Sequence, residues 1–400
     1  MTRPRLRFRR DDGTEYPAWE DLCLSEIVEP NNIPVENPGS NYVKLAIRSH
    51  CKGTFHKPVN SEDEGLDVDT MYLVEAYNLI VNITFAWEHA IAITKPEDAG
   101  TYVSHRFPQY KFVNGNLPSF YEYVIKNPRM KYEMGLCSPG GAGRNRVLSL
   151  KDFMKIQVVR PCPEEQQKIA AFLSDLDAVI SASEAEVAAL EQQKKGAMQK
   201  IFSQEVRFRR DDGTKYPEWK ATKFGSLLSE FREKTTVENE DTLLSCAISG
   251  MFLNTELFGH QRGKSNIGYL KIRYGTLILS AQNLHLGNAN VNLRFEHGII
   301  SPAYKTYEIK NCNLFFMAQW IKRPETNKFF YDATTVGASQ CRRNIDWNRL
   351  YEQYVQFPCP EEQQKIADFL SSFDAAIDLA RQELEKWKLL KKGLMQQMFV

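Results

Sequence analysis

The sequence predicts an α+β protein that is built twice, as two globular domains of mixed α/β content, each followed by one long helix. Three observations predict this architecture. Residues 161–170 return unchanged as residues 358–367, and the shorter segment 7–14 returns as 207–214. Apolar residues follow both copies of the first repeat at alternating steps of four and three, which is the heptad spacing of a coiled coil. An internal pseudo-two-fold duplication accounts for all three.

The chain begins with a short motif that predicts the entrance to a domain. In residues 7–20 an Asp-Gly pair lies between strand-like residues, which is typical of a tight turn. The same pattern, again followed by Tyr-Pro and Trp, recurs in residues 207–220. We therefore expect a first domain over residues 1–160 and a second domain over residues 205–357.

The two domain interiors share a frame but differ in most of their sequence. Short apolar runs at 79–81, 90–93 and 277–279 predict buried strands among loops rich in Asn, Gly and Pro. The frame is visible at an offset of 197 residues, where Ser104, Phe107 and Tyr110 correspond to Ser301, Tyr304 and Tyr307. Two copies of one scaffold with variable interiors suggest two related sites that read two different ligands.

Each copy of the longer repeat predicts the start of a helix, over residues 161–204 in the first copy and 358–400 in the second. Pro163 and Pro360 suit the first helical position, where a missing N–H costs nothing. The pair of glutamates behind each proline faces the positive end of the helix dipole. At about 1.5 Å per residue, each helix would extend roughly 58 Å.

The heptad spacing predicts that the two helices pair with each other. An isolated apolar stripe held over about five heptads would aggregate, and the simplest partner for one copy is the other. Ser183, Lys194 and Lys391 interrupt the stripe, and the two lysines occupy equivalent positions. These lysines either set the register of the pair or contact something outside it. The predicted helix-pairing seam consists of Ile169, Leu173, Leu176, Ile180, Val187, Leu190, Ile201, Ile366, Leu370, Phe373, Ile377, Leu384, Trp387, Leu394 and Met398.

Composition narrows the class of protein without fixing it. A chain of 400 residues with 42% apolar content can bury more than one core, and a net charge of +1 neither requires nor excludes nucleic acid. No window approaches the apolar length of a membrane span, and the N-terminus has no apolar core of a signal peptide. The eight cysteines form no C-x-x-C pair, which argues against a zinc ribbon. We expect a reduced, cytoplasmic protein.

With these motifs, the chain resembles the specificity (S) subunits of type I restriction-modification systems over essentially its whole length. The resemblance rests on the Tyr-Pro-x-Trp entrances, on Ser-Pro-Ala-Tyr at 301–304 and on the Gly-rich segment 140–149. Its most specific element is the Pro-Glu-Glu-Gln helix opening after each domain. The first domain has Ser-His-Arg-Phe at 104–107 instead of Ser-Pro-Ala-Tyr, so we interpret that motif as scaffold. The resemblance implies two target-recognition domains separated by two long antiparallel coiled-coil helices.

The same resemblance implies a non-catalytic subunit that reads a bipartite target in double-stranded DNA, with one domain for each half-site. It would assemble with two modification subunits, which carry S-adenosylmethionine, and with restriction subunits, which use ATP and Mg. No cofactor or metal is expected on this chain itself. The sequence agrees, since it has no Asn/Asp-Pro-Pro-Tyr/Phe methyltransferase motif and no complete G-x-G-x-x-G.

Candidate DNA contacts lie in polar loops. Arg can form two hydrogen bonds to a phosphate or a guanine, and Asn can do so to an adenine, so the Gly-rich loop 140–146 and its counterpart 341–344 are the first candidates. The alternative is that each is an ordinary turn with solvated charges. Polar loops near predicted strands form a second set, and Lys52 and Lys57 are phosphate contacts or plain surface. The candidates are Arg144, Asn145, Arg146, Asn82, Trp87, Lys52, Lys57, Arg342, Arg343, Asn344, Gln261, Arg262, Lys264, Asn266, Gln282 and Asn283.

Two other functions are also compatible with the sequence. One is a coiled-coil scaffold whose two domains bind proteins, with no nucleic acid involved. The other is a stand-alone enzyme, for which the sequence offers no nucleophile, base or metal cluster that can be assembled, and the seven His show no metal-ligand spacing.

Overall fold

The computed structural model describes residues 4–60, 68–141, 146–260, 265–336 and 343–399. The chain divides into two compact units. Unit 1 comprises Met1–Ser183 and Glu383–Val400, and unit 2 comprises Glu184–Gln382. Each unit therefore contains one globular domain together with segments of both long helices, and the predicted α+β class and duplication are confirmed.

Unit 1 contains the first domain, which is built from short strands and helices and continues into the first long helix. Its strands are β1 (Glu20–Cys23), β2 (Val28–Pro30), β3 (Ile33–Glu36), β4 (Tyr42–Ile47), β5 (Thr54–Val59), β6 (Thr70–Leu73), β7 (Leu79–Val81), β8 (Ile91–Ile93), β9 (Tyr102–Val103), β10 (Gln109–Phe112) and β11 (Gln157–Arg160). Its helices are α1 (Leu24–Ile27), α2 (Pro118–Val124), α3 (Pro128–Leu136) and α4 (Leu150–Phe153), and the long helix is α5 (Pro163–Phe202).

Unit 2 contains the second domain and leads into the second long helix. Its strands are β12 (Lys220–Lys223), β13 (Leu228–Phe231), β14 (Leu244–Ala247), β15 (Gly250–Leu253), β16 (Leu270–Arg273), β17 (Leu277–Ser280), β18 (Ala289–Val291), β19 (His297–Ile300), β20 (Tyr304–Ile309), β21 (Thr334–Val336), β22 (Arg343–Ile345) and β23 (Tyr354–Phe357). Its helices are α6 (Asn254–Phe258), α7 (Leu314–Trp320), α8 (Pro324–Asp332) and α9 (Trp347–Glu352), and the second long helix is α10 (Pro360–Met398).

The frame shared by the domains is a four-stranded antiparallel sheet. Its strand order is β2-β10-β7-β8 in unit 1 and β13-β20-β17-β18 in unit 2. Tyr110 lies opposite Leu79 in the first sheet, and Tyr307 lies opposite Leu277 in the second. The predicted strands at 79–81 and 277–279 are therefore central in equivalent sheets, buried as their apolar composition predicted.

The remaining sheets differ between the domains. Unit 1 has a five-stranded sheet of order β3-β6-β9-β4-β5, in which β4 and β9 run parallel. In unit 2 the described residues form instead the two-stranded sheets β14-β15, β16-β19 and β21-β22. The structural divergence follows the divergence in sequence.

In each domain the first strand pairs with the last strand in a two-stranded ladder, so the chain leaves the domain beside the point where it entered. Glu20 in β1 pairs with Arg160 in β11, and Lys220 in β12 pairs with Phe357 in β23. The Asp-Gly turn predicted before the ladder is present, with Gly13 at φ 84°. Each long helix therefore begins beside its own entrance motif.

The repeated Glu-Gln pair at the start of each long helix docks that helix onto its domain. In unit 1, Glu165 is buried, and its Oε2 accepts hydrogen bonds from Nη2 of Arg7 at 2.7 Å and Nε1 of Trp19 at 2.8 Å. The neighbouring Gln166 accepts the backbone N–H of Leu117, at the start of α2, at 2.9 Å. These contacts explain why the Glu-Gln pair is repeated: each of the two polar side chains binds a residue of the domain.

The same docking contacts recur in unit 2. Oε2 of the buried Glu362 accepts Nη2 of Arg207 at 2.8 Å and Nε1 of Trp219 at 3.1 Å. Gln363 accepts the backbone N–H of Asn313, at the start of α7, at 2.9 Å. The entrance motif and the helix opening therefore repeat together because they bind each other.

The long helices pack against each other inside each unit. In unit 1, Ile169 and Leu173 near the start of α5 share a core with Met398 at the end of α10. In unit 2, Ile201 near the end of α5 shares a core with Ile366 near the start of α10. Within each unit the two helices are thus antiparallel. The seam residues are buried or half-buried; the buried ones are Ile169, Leu173, Leu176, Ile201, Ile366, Leu370, Ile377, Leu384 and Met398, and the half-buried ones are Ile180, Val187, Leu190, Phe373, Trp387 and Leu394.

The two lysines that interrupt the seam form ion pairs across it. In unit 2, Nζ of Lys194 lies 2.5 Å from Oδ1 of Asp374. In unit 1, Lys391 pairs with Asp177 in the equivalent way. Of the two interpretations of these lysines, the structure favours register setting, because each ammonium already has its partner inside the helix pair.

The helices are amphipathic, and their outer faces are charged. In unit 2, for example, Nη2 of the exposed Arg381 lies 2.5 Å from Oε1 of Glu191. Within the described ranges, no helix has both the length and the apolar content that crossing a membrane requires.

Candidate nucleic-acid interface

The two domains share one local arrangement, in which a short 3-10 turn follows a central strand and packs on a helix. In unit 1 the turn is Ala86–Glu88, after β7 and beside α3; in unit 2 it is Leu284–Leu286, after β17 and beside α8. The residue behind each turn has left-handed backbone, His89 at φ 64° and Gly287 at φ 88°. We call these two equivalent regions the turn-helix corners.

Each turn-helix corner carries an aromatic ring with an unpaired nitrogen. Trp87 and His285 occupy the same position in their turns, and both are half-buried. Nε1 of Trp87 and Nδ1 of His285 are buried and have no hydrogen-bond partner among the described residues. The corners are therefore alike in backbone and different in the side chain that they present.

An arginine accompanies each of these rings. The guanidinium of Arg146 lies 5.5 Å from the centre of the Trp87 ring. Burial, and secondly the charge of Arg343, lowers the pKa of His285. Arg146 and Arg343 correspond at the offset of 197 residues. His285 was missed as a candidate because the offset in this turn is 198 residues; aligning the strands that precede the two turns would have found it.

The two arginines also brace the ends of the neighbouring helices. Arg146 donates from Nε to the carbonyl of Ser138 at 3.0 Å and from Nη2 to the carbonyl of Gly135 at 2.9 Å. Arg343 donates from Nε to Oγ1 of Thr334 at 2.6 Å, and its guanidinium lies 4.0 Å from the centre of the Tyr331 ring. Both side chains thus bind the C-terminal end of the helix that packs on the turn. Their contact with DNA stays a prediction.

Several predicted contacts belong to segments that the structure does not describe. Residues 142–145, 261–264 and 337–342 lie outside the described residues. The candidates concerned are Arg144, Asn145, Gln261, Arg262, Lys264 and Arg342.

Two predicted asparagines point into their domains. Asn82 is buried, and its Oδ1 accepts the backbone N–H of Thr84 at 3.1 Å. Asn266 is buried as well; its Nδ2 donates to Oδ1 of Asn239 at 2.8 Å, and its Oδ1 accepts the backbone N–H of Asn239 at 2.7 Å. Base-edge reading by either amide would require these hydrogen bonds to break, so a structural role accounts for both residues.

The other described candidates are exposed. In unit 2, Gln282 and Asn283 immediately precede the turn that carries His285, and their backbone N–H groups donate to Oγ of Ser280. Asn344 is exposed in β22, beside Arg343. In unit 1, Lys52 and Lys57 are exposed on the hairpin formed by β4 and β5. These residues can reach a ligand without rearrangement.

The described residues contain no group of three or more His, Cys, Asp or Glu side chains placed to hold a metal ion. The chemistry available at the turn-helix corners is therefore hydrogen bonding, ring stacking and positive charge. In unit 2 an arginine lies beside exposed amides, and these groups can hydrogen-bond to base edges and phosphates.

The family described as the type I restriction modification DNA specificity domain matches this chain twice, over residues 19–192 and over residues 195–388. Each match contains one four-stranded frame and one turn-helix corner.

Two relatives come from Methanocaldococcus jannaschii. The type I restriction enzyme MjaVIII specificity subunit is 26% identical over 270 residues, covering 61% of this chain and 61% of the relative. The putative type I restriction enzyme MjaX specificity subunit is 23% identical over 259 residues, covering 60% of this chain and 57% of the relative. The chain thus spans about 60% of the length of these relatives.

Two solved structures have the same fold. The crystal structure of a type I restriction-modification system S subunit from M. genitalium superposes with a TM-score of 0.57 at 11% identity, over 100% of this chain and 99% of the other. A structure obtained for complex assembly and conformational transition of the type I R-M system superposes with a TM-score of 0.56 at 16% identity, over 96% of this chain and 98% of the other. At these identities the similarity establishes the architecture.

Proposed function

Since the chain belongs to the type I restriction modification DNA specificity family, we propose that it is the sequence-recognition subunit of a type I restriction-modification complex. Its target would be a bipartite site in double-stranded DNA, and each domain would read one half. The chain would contribute recognition and assembly, while the catalytic steps belong to its partners.

The observation that carries this proposal is the repeated turn-helix corner. Unit 1 presents Trp87 with Arg146, and unit 2 presents His285 with Arg343, on the same backbone. A protein that binds two ligands of the same chemical class needs the same backbone frame at both sites and different side chains at equivalent positions. Two half-sites of different sequence on one polymer, double-stranded DNA, fit that requirement.

The partners follow from the same proposal. Two modification subunits would supply S-adenosylmethionine, and restriction subunits would supply ATP hydrolysis, Mg and cleavage. The complex would act in the cytoplasm. The related structure obtained for complex assembly of a type I R-M system supports a multi-subunit complex for this fold, and the pseudo-two-fold repeat within the chain offers two equivalent places for two modification subunits.

A mobility-shift experiment tests the proposal against the alternative of a protein-binding scaffold. The full chain, assembled with its modification subunits, is titrated against fragments of the host genome at several salt concentrations. DNA recognition predicts binding whose logarithm falls linearly with the logarithm of salt concentration, and a preference for fragments that carry the site. Methylome sequencing of the host should then show a two-part motif. Absence of DNA binding at low salt would contradict the proposal.

A further inference from the structure

The hairpin formed by β4 and β5 in unit 1 carries positive charge without any acidic residue. Residues 42–59 contain Lys44, Arg48, Lys52 and Lys57 and no Asp or Glu, although the whole chain has 51 basic and 50 acidic residues. Because basic and acidic residues are nearly equal in number over the whole chain, this hairpin is a local concentration of positive charge.

Three of these cations lie on one face of the hairpin together with an exposed aromatic ring. Lys44 lies directly opposite Lys57 in the ladder, and Ala46 lies opposite Phe55, so these side chains share a face. Phe55 is 37% exposed, and the guanidinium of Arg48 lies 4.9 Å from the centre of its ring. We call Lys44, Arg48, Phe55 and Lys57 the basic face.

The opposite face of the hairpin packs into the domain, whereas the basic face does so only at its far end, through Tyr42 and Val59. Leu45 and Ile47 are buried in a core cluster of unit 1. On the same side, Nε2 of His56 lies 2.8 Å from Oδ1 of the buried Asp98. The same oxygen accepts a hydrogen bond from Oγ1 of Thr54 at 3.1 Å. Folding therefore accounts for this face but not for the charges of the basic face.

The charges of the basic face have no carboxylate partner among the described residues, although Nη1 of Arg48 donates to the carbonyl of Thr54 at 2.7 Å. Like charges directly opposite in a ladder are destabilising, and burial, with Lys57 as the second cause, lowers the pKa of Lys44. Other lysines of this domain have carboxylates, for example Lys111 with Glu29 at 2.8 Å and Lys155 with Asp152 at 2.9 Å. No carboxylate of the described residues lies within 4 Å of the charged nitrogens of Lys44, Arg48 or Lys57. The sequence places Glu62, Asp63 and Glu64 after the hairpin, in the segment 61–67 outside the described residues.

We propose that the basic face binds the phosphate backbone of duplex DNA and orients the first domain on its half-site. This inference rests on the proposed function and adds a positioning surface to it. Lys44 lies on β4, Lys57 lies on the edge strand β5, and Arg48 directly follows β4, so the three cations form one cluster at the edge of the sheet. Such a cluster suits contacts to neighbouring phosphates, which fix register without reading bases. The hairpin β14-β15 in unit 2 has no charged residue over 244–253, so it offers no such surface.

The test measures how salt affects binding of the full chain to a random-sequence DNA duplex. Each phosphate contact contributes about 0.9 to the slope of log affinity against log salt, so K44A/K57A should reduce the slope by about 2. K155A is the matched control in the same domain, because its ammonium is already paired with Asp152; its slope should equal that of the wild type. An unchanged slope in K44A/K57A would overturn the inference.

Thermal unfolding of the same variants separates binding from folding. Because Lys44 and Lys57 repel each other, K44A/K57A should melt no lower than the wild type, and K57E, which places a carboxylate opposite Lys44, should melt higher and bind DNA more weakly. Lower melting temperatures would show that the pair supports the fold, which would also overturn the inference.

If the wild type failed to bind any duplex, the proposed function itself would be wrong. If the variants lost the modification subunits but kept the salt slope, the surface would be a protein contact and not a phosphate contact.

Discussion

Nζ of Lys194 lies 2.5 Å from Oδ1 of Asp374, across the seam between the two long helices. Asp374 also accepts Nε2 of Gln319 from α7 at 2.7 Å, so one carboxylate ties both helices to the second domain. In unit 1, Asp177 receives Lys391 and the hydroxyl of Tyr123 in the same way. Both copies therefore contain the same ion pair, and a different side chain of the domain, Tyr123 or Gln319, completes the contact in each.

Removing one member of this contact should destabilise unit 2 in a graded way. K194A should cost about 1 kcal/mol of unfolding free energy, because the pair is partly exposed, and D374A should cost more because it leaves two donors unpaired. The exchanged variant K194D/D374K should recover part of the loss. Denaturant unfolding of K194A, D374A and K194A/D374A gives the coupling energy; a coupling of zero would contradict register setting by this pair.

The buried Glu165 should be the most sensitive residue of the repeated motif. E165Q weakens the hydrogen bonds from Arg7 and Trp19 and leaves the half-buried guanidinium without its charged partner, at a cost of roughly 2–3 kcal/mol. The neighbouring Glu164 is exposed, so E164Q is the matched control and should lie within about 0.5 kcal/mol of the wild type. Equal stability of the two variants, measured by denaturant unfolding, would refute the docking role.

Unit 1 should lose stability as the pH falls. Burial lowers the pKa of His89, whose Nε2 lies 2.7 Å from the carbonyl of Ile125. The unfolded chain takes up a proton at this residue near pH 6.5 or so, while the folded protein stays neutral to lower pH. The unfolding free energy contributed by His89 is therefore complete above that pH and declines below it. In H89N, where Asn tolerates the left-handed backbone, melting temperatures from pH 7 to 5 should fall less steeply than in the wild type; parallel profiles would contradict the assignment.

A fragment ending at Gln204 should form a symmetric homodimer. It retains Lys194 and Asp177, and Asp177 is the equivalent of Asp374, so each copy can offer the other the same ion pair. Phe202 of the second copy can likewise take the place that Phe399 holds against Phe120, at 5.7 Å between ring centres. Two-fold pairing of identical helices buries the same surface on both copies, so the assembly ends at a dimer.

Sedimentation of this fragment checks the prediction, and charge variants sharpen it. K194D should shift the fragment toward monomer, and K194D/D177K should restore the dimer. With modification subunits, the dimer should methylate an inverted repeat of the first half-site. A stable wild-type monomer would contradict helix pairing, and a non-palindromic methylated site would contradict one half-site per domain.

Exchanging one domain should change one half of the target. Replacing residues 220–357 with those of a homologous chain leaves the first turn-helix corner, with Trp87 and Arg146, untouched. Methylome sequencing should then show a motif altered in one half only. A change in both halves would mean that the domains do not read independently.

Local signals in the sequence were sufficient for the repeated parts of this protein. Helix α5 begins at Pro163 and α10 at Pro360, as the proline position and the glutamates behind it predicted. The central strands β7 and β17 also lie where short apolar runs placed them. Helix starts and buried strands are encoded by neighbouring residues, so a single sequence reveals them.

The roles of individual polar residues depended on tertiary contacts. Asn266 and Arg146 looked like loop residues free to reach DNA, but Asn266 bonds Asn239 and Arg146 bonds carbonyls at the end of α3. Lys194 has its partner 180 residues away. The sequence alone therefore determined the duplication, the long helices and the family, because these rest on local pattern. Only the tertiary structure decided which polar groups are satisfied inside the protein and which stay available to a ligand, since hydrogen-bond partners are set by residues that folding brings together from distant parts of the chain.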